Sequence, residues 1–143
     1  MEPNTAILLV DDEVDFLHTL AKRLALRKLA VMTAENGPDA LGLLGEHLVD
    51  VVVVDVKMPG MDGIQVVREI KRHHPLVEVI LLTGHADLEA SLEGMTAGAF
   101  DYLLKPVAID DLVYKIEDAK TRKDMQEKKI GQLKERAGQL RQS

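Results

Sequence analysis

Five short apolar runs alternate with five helix-length amphipathic segments along this chain. Several runs are apolar at consecutive positions and rich in β-branched residues, which is the pattern of strands buried on both faces. Successive strands joined by helices return by right-handed crossovers, so the alternation predicts an α/β fold, a doubly wound parallel sheet with helices on both faces. The predicted strands span residues 6–10, 29–33, 51–54, 77–82 and 100–104. The predicted helices span residues 14–27, 38–47, 63–74 and 86–97, with a last one from about Ile109.

Length and composition are those of one small intracellular domain. The 143 residues suffice for one domain with a short appendage, and 46% of them are hydrophobic. The chain has no cysteine, and its apolar runs are too short to span a membrane. Residues 1–6 do not have the basic and apolar pattern of a signal peptide. We therefore expect a cytoplasmic protein that does not associate with membranes.

Charge is distributed unevenly along the chain. Residues 1–118 carry 10 basic and 21 acidic residues, whereas residues 119–143 carry 8 basic and 3 acidic ones. The acidic part of the chain, residues 1–118, repels nucleic-acid phosphates. The basic end has no aromatic residue that could stack on bases. We therefore expect no direct DNA binding by this chain.

The end of the chain has a weak heptad pattern. Six of eight core positions are apolar, where the core positions are Ile116, Ala119, Lys123, Gln126, Ile130, Leu133, Ala137 and Leu140. Gly131 and Gly138 each disfavour a helix by about 1 kcal/mol relative to Ala, and a repeat this short is marginal for a coiled coil. We predict a body over residues 1–120 and, over residues 121–143, a charged helical tail that extends the last helix. That tail is a solvated helix, a linker or a short coiled coil.

Polar residues that can bind ions or take part in reactions fall at four of the predicted strand ends. Asp11 and Asp12 follow the first strand, Asp55 the third, Thr83 the fourth and Lys105 the fifth. In an open parallel sheet, ligands bind at the carboxyl ends of the strands. We therefore expect one crevice to hold three carboxylates, a hydroxyl and an ammonium.

Such a set of groups suits phosphoryl transfer with a hard cation. Converging carboxylates repel one another, and a bound cation relieves that repulsion. Oxygen ligands without His or Cys favour Mg²⁺. A carboxylate is also a nucleophile that can form an acyl phosphate, whose anionic oxygens a metal, a lysine and a threonine can stabilise.

These motifs resemble the receiver domain of two-component response regulators, over about residues 5–120. The matching pieces are the Asp11-Asp12 pair, the run Asp55-Val56-Lys57-Met58-Pro59-Gly60-Met61-Asp62-Gly63, the Thr83-Gly84-His85 turn and Tyr102-Leu103-Leu104-Lys105-Pro106. The spacing is most similar to receivers of enhancer-binding transcription activators. The resemblance implies a flavodoxin-like (βα)5 sandwich whose five parallel strands have the order 2-1-3-4-5.

The resemblance also implies a role for each site residue. Asp55 is the implied phosphoacceptor. Asp12, Asp55 and the backbone carbonyl of Lys57 are the implied Mg²⁺ ligands, and Asp11 is implied to reach the metal largely through water. Lys105 pairs with the phosphoryl group. Thr83 and Tyr102 act as switch residues, and the Lys105–Pro106 peptide is expected to be cis.

The same resemblance implies a signalling domain rather than an enzyme, although one capable of self-phosphotransfer and autodephosphorylation. The implied partners are a sensor histidine kinase or phosphotransfer protein, and a downstream protein target or output domain. A homodimer is a further possibility. The signalling surface is implied to comprise the fourth helix, the fifth strand and the fifth helix.

Two other functions share part of this pattern. A phosphatase of the haloacid-dehalogenase type also uses a strand-end Asp nucleophile, but it needs a second Asp two residues later, where this chain has Lys57. That family also places its acidic pair after the lysine, whereas Asp11 and Asp12 precede the nucleophile. The second alternative keeps the receiver and makes it one part of a longer transcription regulator.

Overall fold

The computed structural model describes residues 4–142. Residues 1–3 of the predicted body and Ser143 of the predicted tail lie outside the described residues. Within that range strands and helices alternate as the sequence pattern predicts. The strands are β1 (Ala6–Val10), β2 (Ala30–Ala34), β3 (Val51–Asp55), β4 (Glu78–Thr83) and β5 (Asp101–Leu104). The helices are α1 (Val14–Ala25), α2 (Gly37–Glu46), α3 (Gly63–His73), α4 (Leu88–Ala97) and α5 (Ile109–Gln142). A short 3₁₀ turn, His85–Asp87, precedes α4.

The five strands form one parallel sheet in the order β2-β1-β3-β4-β5. The doubly wound α/β class confirms the prediction from the sequence pattern, and the strand order confirms what the resemblance implies. Because the chain reverses its winding direction between β1 and β3, a crevice opens at the carboxyl ends of these two strands. The register pairs Val10 with Val54, so the residues that follow them are neighbours at that edge.

Alternate residues of the central strands build two cores, one on each face of the sheet. Leu8, Val52 and Leu81 lie on the face covered by α2, α3 and α4. Ile7, Val53 and Ile80 lie on the face covered by α1 and α5. Burial on both faces explains why these strands are continuously apolar rather than alternating.

The helix starts have local causes that the sequence displays. The Asn36 side chain accepts a hydrogen bond from the Asp39 N–H at the start of α2. Asp62 and Gln65 form a reciprocal capping box at the start of α3. The α1 helix ends earlier than predicted, at Ala25, and Lys28 then adopts a positive φ of 64°.

The last helix is uninterrupted over 34 residues. Leu112, Ile116 and Ala119 are fully buried against the sheet, and most residues beyond them are exposed. Asp50, at the opposite edge of the sheet from the crevice, lies 3.2 Å from Lys123 Nζ. No helix within residues 4–142 is long and apolar enough to cross a membrane.

Candidate functional site

Three carboxylates meet at the carboxyl ends of β1 and β3. Asp11 and Asp55 are buried, with 3% and 7% of their surface exposed, whereas Asp12 is exposed. One oxygen from each of the three side chains lies within 4.8 Å of the other two. Asp11 is held by a local turn, because its Oδ1 accepts a hydrogen bond of 2.9 Å from the Glu13 N–H. The three residues that the sequence assigns to one crevice are therefore brought together.

Lys105 joins the two buried carboxylates. Its Nζ lies 3.2 Å from Asp11 Oδ2 and 3.4 Å from Asp55 Oδ1. The residue follows β5, and its backbone N–H donates a hydrogen bond of 2.8 Å to the Thr83 carbonyl. The Lys105–Pro106 peptide is cis, as the resemblance implies.

The surroundings of Asp55 favour its neutral form more strongly than water favours the neutral form of an exposed aspartate. Burial raises the pKa of Asp55 from 3.8 to about 6, and Asp11 adds to the rise while Lys105 opposes it. Burial alone would lower the pKa of Lys105, but the Asp11 and Asp55 carboxylates outweigh it and raise that pKa. The ammonium is therefore firmly protonated, whereas its charge offsets the burial of an anionic Asp55 only in part.

The donor set fits a hard divalent cation. Three carboxylates face one ammonium, all the candidate ligand atoms are oxygens, and the exposed Asp12 leaves the crevice open to water. Small, hard cations such as Mg²⁺ bind through one or two carboxylates and retain several waters. The residues present could therefore hold such an ion, which would also relieve the unfavourable charge of Asp55.

The segment from Val56 to Gly63, which joins β3 to α3, packs tightly against the strand that carries Asp55. The Lys57 backbone N–H donates a hydrogen bond to the Asp55 carboxylate, and the Lys57 side chain is exposed. Gly63, the first residue of α3, lies so close that a Cβ there would be 2.4 Å from the Asp55 carbonyl oxygen. Helix α3 therefore begins directly on the backbone of the residue that the sequence assigns as acceptor.

The two residues predicted to act as switches lie on the neighbouring strands β4 and β5 and not among the carboxylates. Thr83 is fully buried as the last residue of β4, and its hydroxyl donates to the Gly84 carbonyl at 3.2 Å. Tyr102 is half-buried on β5, next to Leu81 of β4, and packs against the core under α4. Their predicted switching roles stay predictions.

Sequence reasoning missed one neighbour of the site. Phe16, in the first turn of α1, places its ring centroid 4.5 Å from Lys105 Nζ. The contact joins residues that are 89 positions apart, and it depends on the rotation of α1 about its own axis. A phenylalanine among Leu17, Leu20 and Leu24 reads in the sequence as one more core residue of that helix.

The sequence of the chain matches the model of one known protein family. The model of the response regulator receiver domain matches residues 7–117. The chain belongs to the response regulator receiver family. Receiver domains are signalling domains of two-component systems, and the acidic group Asp11, Asp12 and Asp55 fits a phosphorylation site of that kind.

Curated relatives of this receiver are bacterial transcription regulators. It is 41% identical over 113 residues to the DNA-binding transcriptional regulator NtrC of Salmonella typhimurium, which covers 79% of this chain and 24% of that protein. It is likewise 41% identical over 106 residues to the regulatory protein AtoC of Escherichia coli, covering 74% of this chain and 23% of that protein. The chain thus spans about a quarter of the length of these curated relatives. This confirms the predicted similarity to receivers of transcription activators.

Solved structures agree with the fold. A response regulator receiver domain protein from Clostridium thermocellum superposes with a TM-score of 0.82 at 39% identity, covering 85% of this chain and 98% of that one. The receiver domain of NtrX from Brucella abortus superposes with a TM-score of 0.77 at 32% identity, covering 80% and 98%.

Proposed function

We propose that this receiver accepts a phosphoryl group on Asp55 in a Mg²⁺-dependent reaction and thereby switches a protein-binding surface. The observation that carries the proposal is the contact of one ammonium, Lys105, with two buried carboxylates beside the exposed Asp12. Asp55 is the carboxylate that lies at the centre of the sheet, at the end of β3. A carboxylate confined there serves as a nucleophile with one cationic group, Lys105, already in place.

The transfer step follows from these groups. An Asp55 carboxylate oxygen attacks the phosphorus of a phosphohistidine on the partner kinase, so that a new O–P bond forms as the P–N bond breaks. The histidine nitrogen keeps the electron pair of the broken bond. Attack of water on the acyl phosphate later releases inorganic phosphate and restores the Asp55 carboxylate, which is the proposed autodephosphorylation.

The other site residues support this step by charge and position. Asp12, Asp55 and the Lys57 carbonyl would hold Mg²⁺ directly, and Asp11 would hold it largely through water. The ion would supply positive charge to the phosphoryl oxygens. Lys105 already lies 3.4 Å from Asp55 Oδ1 and pairs with a second phosphoryl oxygen. The Thr83 hydroxyl turns from the Gly84 carbonyl to a third oxygen, and that turn begins the switch.

Helix α4 is the proposed moving element. It packs on the sheet through Gly94, where a Cβ would lie 2.3 Å from Leu81 Cδ1 and 2.9 Å from Ile64 Cδ1. An exposed ion pair of 2.9 Å, between Arg68 and Glu93, joins it to α3, and such pairs contribute little stability. Because the ion pair contributes little and Gly94 has no side chain that interlocks with the sheet, α4 is suited to shift when Thr83 moves.

The outward consequence is a change of the surface formed by α4, β5 and α5. Phosphorylation adds roughly −1.5 to −2 charge at one edge of the sheet, and Tyr102 on β5 moves into the space that Thr83 vacates. The surface would contact a downstream protein or an attached output domain, or a second copy of the chain. The body over residues 1–120 then acts as the switch, and residues 121–143 act as a linker or short coiled coil.

The proposed partners follow from membership of the receiver family. The phosphoryl donor is a sensor histidine kinase or a phosphotransfer protein, and the setting is the bacterial cytoplasm. The similarity to the DNA-binding transcriptional regulator NtrC supports an output in transcription. DNA contact is assigned to the output partner and not to this acidic body.

Beryllium fluoride, a mimic of the phosphoryl group, tests both the site and the switch. With Mg²⁺ present, we expect it to shift amide NMR signals across residues 86–98 and 100–105 more than across α2. The physical reason is that Thr83 and Tyr102 connect the crevice to α4 and β5, whereas α2 lies at the far edge of the sheet. Asp55→Asn, and the wild-type chain in EDTA, serve as controls that should not respond. Shifts confined to residues 55–63, with α4 unchanged, would show that this receiver signals by another route.

A further inference from the structure

The ammonium of Lys105 has a third neighbour besides its two carboxylates. The ring centroid of Phe16 lies 4.5 Å from Lys105 Nζ, within the distance of about 6 Å at which a cation is attracted to the face of an aromatic ring. Asp11 and Asp55 lie 3.2 Å and 3.4 Å from the same nitrogen. The three neighbours come from the end of β1, the end of β3 and the first turn of α1, so the ammonium is enclosed by groups on three separate elements.

A lysine needs such enclosure to hold one position. Its four-carbon stem is flexible, and its ammonium is a point charge without the geometric preference of a guanidinium. The two carboxylates attract the ammonium but leave its stem free to rotate. A ring on a third element limits that rotation, and it does so without adding a negative charge to a crevice that already holds three carboxylates.

Phe16 does more than fill the core. The ring is half-buried, whereas the neighbouring core residues of α1, Leu17 and Leu20, are 1% and 7% exposed. The ring also borders a shallow groove of about 270 Å³ that Pro106 and Val107 line from the other side. The phenyl group therefore stands between the outer surface of the domain and the lysine of the site.

We propose that Phe16 is a positioning residue that holds the Lys105 ammonium toward Asp55 by a cation–π contact. The contribution to phosphoryl transfer rests on the proposed function of Asp55, whereas the positioning itself does not. In the reaction Phe16 contacts neither the metal nor the phosphoryl group. It acts through Lys105, by keeping the ammonium where an oxygen of the incoming phosphoryl group arrives.

Fluorinated phenylalanines separate ring charge from ring shape. Phenylalanine with one, two or three fluorines at position 16 keeps nearly the same shape, while the negative potential of the ring face falls with each fluorine. NMR relaxation of the Lys105 ammonium, measured at one fixed pH in EDTA, reports how firmly the group is held. We expect the order parameter of the ammonium to fall stepwise along the series, to fall further in Phe16→Leu, and to recover in Phe16→Tyr.

The phosphorylation rate gives the second readout. With acetyl phosphate and Mg²⁺, Phe16→Leu should lose about 2- to 5-fold in rate, which corresponds to a cation–π contact at a partly exposed site. The fluorinated series should fall between the wild-type chain and Phe16→Leu. Phe100 is the matched control, since it is the only other phenylalanine and its ring faces Arg122 at 5.8 Å. Fluorination there should change neither the Lys105 order nor the rate.

The outcomes are distinguishable from failure of the proposed function. If Asp55 is not the acceptor, no variant is phosphorylated through it, yet the ammonium order still follows the fluorine series. An ammonium order that is flat along the series overturns the positioning role, even if Phe16→Leu is less stable, because packing alone does not follow ring charge. If the order parameter of the ammonium falls along the series while the phosphorylation rate stays unchanged, the link between that positioning and the reaction is overturned.

Discussion

Replacing Gly63 with alanine should destabilise the domain by about 1–3 kcal/mol or more, and should slow phosphorylation of Asp55. The added Cβ would lie 2.4 Å from the Asp55 carbonyl oxygen and 2.8 Å from the Val56 Cα. Both are backbone atoms, so no side-chain rotation relieves the contact. Helix α3 must move away from β3 or the strand end must shift, and either change displaces Asp55. Urea unfolding and the acetyl phosphate rate measure the two effects.

Gly42→Ala is the matched control for this substitution. Gly42 lies inside α2, and a Cβ there meets no heavy atom within 4 Å. Alanine is the better helix former by roughly 0.5–1 kcal/mol, so this variant should be more stable than the wild-type chain. Equal urea midpoints for the wild-type and Gly63→Ala chains would mean that the close contact between α3 and β3 does not constrain the site.

The second large effect is a dependence of stability on pH that belongs to Asp55. Burial, together with Asp11, raises the pKa of Asp55 to about 6 in the folded chain, from 3.8. Between these two values the folded chain binds the proton more tightly than the unfolded chain does. This contribution to stability is therefore present near pH 4, is lost as the pH rises through about 6, and changes little above that. The loss is on the order of 2–3 kcal/mol in the absence of metal.

Comparison with Asp55→Asn isolates this contribution from those of other carboxylates. In EDTA the variant and the wild-type chain should have similar unfolding free energies near pH 4, and the variant should become the more stable of the two above pH 6. Glu35→Gln, at an exposed carboxylate between β2 and α2, should show no such growing difference. A difference between Asp55→Asn and wild type that stays constant with pH would contradict the raised pKa.

The same reasoning gives the expected effect of magnesium. At pH 7 the cation should stabilise the wild-type chain, because it relieves three carboxylates that face one ammonium. Near pH 4 the effect should be small, since a protonated Asp55 is a poor ligand. In Asp55→Asn the stabilisation should be weaker at either pH.

Most of the fold and the gathering of the site were predictable because they have local causes. Consecutive apolar residues mark strands buried on both faces, and parallel strands bring their carboxyl ends to one edge. That is why the sequence alone predicts that Asp11, Asp55 and Lys105 share one crevice. Their distances confirm that they share it.

The burial of a charged residue at the start of β4 is a feature that the sequence pattern does not predict. Glu78 is a charged residue that sequence reasoning placed inside a strand beginning at Val77, and the structure makes it the first residue of β4. It is only 4% exposed there, and Lys71 Nζ lies 3.1 Å from its Oε1. Partners of this kind come from α3, and their presence depends on how that helix packs, which no local pattern reports.

Contacts between distant elements were the least predictable part of the site. The close contact of Gly63 with the Asp55 backbone depends on how α3 packs on the sheet. The contact of Phe16 with Lys105 depends in the same way on the packing of α1. The direction of the Thr83 hydroxyl, toward the Gly84 carbonyl, depends on the space available at the end of β4. Residue types and spacing indicate which groups meet, but not which rotamers and close packings hold them.

Chemical trapping of the phosphorylated residue is the most direct test of the central claim. The chain is incubated with acetyl phosphate and Mg²⁺ and then reduced with borohydride, which converts an aspartyl phosphate to homoserine. Peptide mass spectrometry should find homoserine at position 55 and at no other aspartate, and both EDTA and Asp55→Asn should prevent its formation. Homoserine at Asp11, Asp12 or another aspartate, or undiminished phosphorylation of Asp55→Asn, would contradict the assignment of Asp55 as the phosphoacceptor.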